Sequence, residues 1–179
     1  METTTSTTEK VGIITGVFNT RDEAERAYNS LIEKGYHADD ITVLMSDKTR
    51  DAHFKDTEHD SKLGNKSMEG AGVGSAIGGT AGAIIGAIAA AGTAVALPGL
   101  GLVLAGPLAA GLAGAGAGGL TGGLIGALVG AGIPKERAQV YEDSIKNGGI
   151  VIGVTPRSHQ EATDIQEEWR SYNGEEVHY

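Results

Sequence analysis

The sequence predicts an α+β fold: a small split β-α-β module of the ferredoxin-like kind, with three strands, interrupted by a Gly/Ala-rich helical hairpin. Three observations carry this expectation. Short β-branched apolar runs alternate with amphipathic helical patterns in the two flanks. Capping signals stand where helices should begin. And from Gly70 to Pro134 there is no Asp, Glu, Lys, Arg or His, while 21 of the 29 glycines fall in that block. Two polar flanks therefore enclose an uncharged insert.

The elements follow in order. Residues 1–10, METTTSTTEK, are polar and read as a disordered tail without the basic and apolar regions of a secretory signal. Residues 11–46 form the first half of the module. VGIITGVF (Val11 to Phe18) has the look of a buried strand. Thr20 to Glu23 matches a capping box, and Ala24, Ala27, Tyr28, Leu31 and Ile32 line one helical face behind it. Gly35 supplies a left-handed stop, and ITVLM (Ile41 to Met45) is a second strand. Residues 47–68 are charged and aperiodic, as a flexible linker would be. Residues 134–172 resume the module. Pro134 opens a helix with Ala138, Tyr141 and Ile145 inward, and Asn147-Gly148-Gly149 ends it. IVIGV (Ile150 to Val154) is the third strand. Ser158 and Glu161 cap a last helix with Ala162, Ile165, Trp169 and Tyr172 inward, and residues 173–179 are a tail.

The insert, residues 69–133, carries glycine at every fourth position in two registers: Gly70, Gly74, Gly78, Gly82, Gly86, and Gly114, Gly118, Gly122, Gly126, Gly130. Residues four apart share one face of a helix, so the spacing predicts two helical arms, about Glu69 to Leu97 and Leu102 to Ile133, joined at a turn in ALPGLG. Glycine costs ~1 kcal/mol relative to alanine in a helix interior, so ten such positions need an offset of about 10 kcal/mol. Close helix packing supplies one, which makes these ten glycines the candidate packing residues and a second copy of the chain the expected partner. In lipid the helix is enforced by the backbone itself, and each arm has the ~20 residues a bilayer span needs. Lys62, Lys66, Lys135 and Arg137 at the flanks predict an inner-membrane hairpin with both flanks cytoplasmic. The alternative is a cytoplasmic homo-oligomer with its glycine helices packed inside.

Chemistry of other kinds finds little support. A net charge of −9 opposes nucleic-acid binding, and the absence of cysteine removes thiolate chemistry. His53 and His59 match no metal-ligand spacing. Gly114-x-Gly116-x-x-Gly119 repeats the dinucleotide pattern, but no strand precedes it and the surrounding glycine content makes a chance match expected. Asp39 with Asp40, Glu167 with Glu168, and Ser158 with His159 assemble no nucleophile, base and orienter. The expectation is no enzyme, no cofactor, no metal and no small-molecule substrate.

GVFNTRDEAERAYNSLIEKGYHADDITVL, then a glycine-alanine block, then GIPKERAQVYEDSIKNGGIVIGV resembles the bacterial general stress protein family that contains the YflT-like domain. The resemblance covers roughly residues 11 to 155 in the same order of parts. It implies a stress-induced bacterial protein without an assigned reaction, and it carries over no functional residue.

Overall fold

The computed structural model describes residues 12–53, 84, 95–97, 101–107, 109, 124–126, 128–130 and 133–179. Its strands are β1 (Ile14–Phe18), β2 (Ile41–Ser46), β3 (Val95–Leu97), β4 (Leu102–Ala105), β5 (Ile150–Val154) and β6 (Glu175–His178). Its main helices are α1 (Arg21–Glu33), α2 (Lys135–Lys146) and α3 (His159–Ser171). The class is α+β. One antiparallel sheet runs in the order β3-β4-β2-β5-β1-β6. β5, from the second flank, lies between β1 and β2 from the first, so neither flank makes a sheet without the other. Val154 meets Ile14 on one side and Ile41 on the other.

Both faces of this sheet are covered, which is why the central strands read as unbroken apolar runs rather than alternating ones. Ile14, Phe18, Ile41, Val43, Met45, Ile150, Ile152 and Val154 point to α1 and α3, where Leu31, Ile165 and Trp169 close the layer. Trp169 is fully buried, meets Phe18 edge-on, and lies over Gly16, where a Cβ would come within 3.0 Å of its ring. Val17, Leu44 and Val151 point the other way, to Ala138, Tyr141 and Ile145 of α2. The inward residues expected of α2 are all buried; in α1 and α3 only Ile32 and Tyr172 are half-buried.

α1, α2 and α3 stop in the same way. Tyr36 N donates to Leu31 O, Gly149 N to Ser144 O and Gly174 N to Trp169 O, the outer bond of a Schellman motif, with Gly35, Gly148 and Asn173 in the left-handed region. The starts are capped as the sequence signals. Thr20 and Glu23 exchange both bonds of a capping box. Ser158 accepts from Glu161 N, whereas the Glu161 carboxylate reaches one residue further back, to Arg157 N. Arg157 ties the two halves together: its guanidinium donates to Lys34 O and Gly35 O, at 3.0 and 2.6 Å, and stacks on Tyr36. Burial, reinforced by Glu161, pushes the Tyr36 hydroxyl up to about 12.

Four expectations change. Among the described residues the sheet has six strands, not three. The tail at 173–179 supplies β6, because Val177 finds a buried place in the core beside Trp169. The supposed linker opens as a helix over 47–53, since Ser46 accepts from Thr49 N at 3.0 Å and so caps it. Most consequentially, the inner ends of the two expected helical arms are strands, β3 and β4. β3 and β4, on either side of Pro98 to Leu100, pair with each other as antiparallel strands. Between Gly101 and Gly106, both left-handed, Leu-Val-Leu-Ala alternates about the sheet, and the open edge of β2 offers backbone partners that outweigh helix spacing. Residues 1–11 and 54–68, and most of the insert, lie outside the described residues.

Candidate functional surface

Of the ten glycines expected to pack helices together, Gly126 and Gly130 fall among the described residues; Gly70, Gly74, Gly78, Gly82, Gly86, Gly114, Gly118 and Gly122 lie outside them. Residues 124–126 and 128–130 are helical. Leu124 and Leu128, four apart, are buried against the sheet in the α2 layer. Gly126 and Gly130, two residues on, therefore point roughly opposite, and both are exposed. An added Cβ at either would meet nothing within 4 Å. Val129, between them in this turn, is 43% exposed, the highest value among the large apolar side chains so exposed. Among the described residues Gly126 and Gly130 thus form no close side-chain contact; they lie on an outward, apolar, side-chain-poor surface.

The α2 face holds a second feature that sequence reasoning missed. Thr42, Gly153 and Thr15 stand side by side across β2, β5 and β1, and next to Thr42 a Cβ on Gly106 would press on β2 backbone. The Thr15 and Tyr141 hydroxyls share a hydrogen bond of 2.5 Å. Burial raises the Tyr141 hydroxyl pKa, although its bond to Thr15 and the guanidinium of Arg137 oppose the rise. Thr42, 2% exposed, has no partner for its Oγ1 among the described residues. A strand residue of branched shape is indistinguishable in pattern from valine, so nothing in the apolar spacing marks this row.

Four of the six residues weighed earlier for catalysis are engaged structurally. Asp40 accepts from His37 N at 2.9 Å and caps the 3₁₀ turn over Ala38–Asp40. Ser158 caps α3, and His159 holds the Tyr179 hydroxyl. Glu168 pairs with Lys34 at 3.0 Å and accepts from Tyr172. Among the described residues no group of three or more acidic or histidine side chains is placed to hold a metal, and no helix is long and apolar enough to cross a membrane. Comparison with protein-family models, curated proteins and solved structures finds no match. The functional reading therefore rests on the chain's own residues.

Proposed function

We propose that this chain is a non-enzymatic bacterial stress-response protein that works as a homo-oligomer, its copies meeting on the glycine-bearing face of the segment at 124–130. The outward placement of Gly126, Val129 and Gly130, held in position by buried Leu124 and Leu128, carries this reading. Small residues on an exposed apolar face let a second backbone approach closely, which offsets the cost of glycine in a helix. The stress role rests on the sequence resemblance. The order β2-β5-β1-β6, with α1 and α3, supports a ferredoxin-like split β-α-β core to which β4, β3 and α2 are added.

The same geometry favours an assembly over a membrane hairpin. A spanning hairpin carries its turn across ~30 Å of hydrocarbon, away from the flanks. Here the strands on either side of that turn belong to the sheet the flanks build, with Leu104 opposite Leu44. The test is light scattering on purified wild type, Gly126→Leu and Gly130→Leu. The proposal expects oligomeric wild type and smaller variants whose circular dichroism is unchanged. Variants of wild-type size would sink it.

A further inference from the structure

The sequence contains two Asn-Gly pairs, and the fold places both at helix ends: Asn147-Gly148 after α2 and Asn173-Gly174 after α3. In such a pair the glycine nitrogen can attack the asparagine side-chain carbonyl, because glycine has no Cβ to obstruct the approach and tolerates the backbone rotation required. The two settings differ. Gly174 is wedged: a Cβ there would lie 2.7 Å from Trp169 O and 3.0 Å from Phe18, and its N–H donates to Trp169 O at 2.8 Å. The Asn173 amide nitrogen donates to Glu23 Oε1, inside the capping box of α1. Around Gly148 a Cβ would meet nothing within 4 Å, and its N–H makes a longer bond, 3.1 Å, to Ile145 O. Asn147 is exposed.

We propose that Asn147 is a site of spontaneous deamidation in the folded protein, and that Asn173 is protected. The Gly148 nitrogen, having lost its proton, bonds to Cγ of Asn147; the Cγ–amide nitrogen bond breaks and ammonia leaves. Water then opens the cyclic imide at either carbonyl, giving aspartate or isoaspartate, with no change of oxidation state. Either product puts a carboxylate at the negative end of the α2 dipole, one turn after Asp143, whose carbonyl oxygen accepts from Asn147 N. Isoaspartate also adds a backbone atom at the corner that leads into β5, a central strand. The modified chain should therefore unfold earlier than the parent.

The test is peptide mapping by mass spectrometry, with isoaspartate quantified, after ageing the full chain at mildly alkaline pH, folded and in denaturant. In the folded chain Asn147 should convert at least about tenfold faster than Asn173, since a local opening cheaper by ~1.4 kcal/mol already gives that ratio. In denaturant the two rates should converge. Equal rates in the folded chain would overturn the proposal. So would a ratio that persists in denaturant, because flanking sequence rather than fold would then set the selectivity. Asn147→Ser, which cannot form the imide, should keep its unfolding midpoint on ageing while the wild type loses some of its own.

Discussion

The two faces of the sheet are built from different kinds of sequence. The α1 and α3 face comes almost wholly from the flanks, with helical periodicity, capping residues and a large aromatic, Trp169, at its centre. The other face joins α2 to pieces of the insert: Leu102, Leu104, Ala109, Leu124 and Leu128. On the first face the inward residues of α1 and α3 announce themselves by spacing. On the second, apolar character is plain but destination is not, because leucine among glycines suits either a helix in an assembly or a strand at an open edge. Tertiary pairing, available only once β2 exists, decides between them.

The largest expected effect that sharpens this contrast is at Gly106. Its φ is +86°, and a Cβ there would lie 2.1 Å from the Ile41 carbonyl oxygen. Gly106→Ala should cost ~1–3 kcal/mol for the backbone conformation alone, with more from pushing β4 off β2. Urea unfolding followed through Trp169 fluorescence reports it from the opposite face. An unchanged midpoint would mean that the insert and the flanks fold independently.

Next comes Thr42→Val. Removing a buried hydroxyl that lacks a partner, at almost constant shape, should stabilise the protein by on the order of 1 kcal/mol. A loss of stability in thermal unfolding would instead mean that the α2 face supplies this hydroxyl with a partner in solution. The smallest effect belongs to the first face. Burial opposes ionisation of Glu23, yet hydrogen bonds from Thr20 and Asn173 prevail and hold its pKa below the ordinary 4.5. A depressed carboxylate contributes stability above its unfolded pKa and loses it as pH falls through the lower folded value. Glu23→Gln should therefore reduce the acid-side decline in stability, by only a few tenths of a kcal/mol at a site that solvent still screens. Identical pH profiles for the two proteins would remove Glu23 from the account.

Much of the fold was legible in the sequence for local reasons. Thr20 with Glu23, the left-handed Gly35 and Gly148, and the stripes of α1, α2 and α3 are signals read within a dozen residues. What escaped depends on distant partners. β6 needs the edge of β1 and a place for Val177 beside Trp169; β4 needs the edge of β2. The segment at 47–53 was hidden by its charge, although Ser46 and Thr49 form a cap readable in hindsight. For the candidate surface, spacing identified Gly126 and Gly130 but not their direction, which Leu124 and Leu128 set by packing inward.

The claim on which the rest depends is that the middle of the insert is part of the sheet. The chain has no cysteine, so a pair introduced at Leu44 and Leu104, opposite one another in β2 and β4, tests it cleanly. Partners across an antiparallel ladder have Cα atoms about 4.5–5.5 Å apart, within disulfide reach. Mild oxidation of Leu44→Cys/Leu104→Cys should give a bridge within one chain, seen by mass spectrometry as loss of both free thiols. Thiols that stay free, or that join only separate chains, would contradict the account.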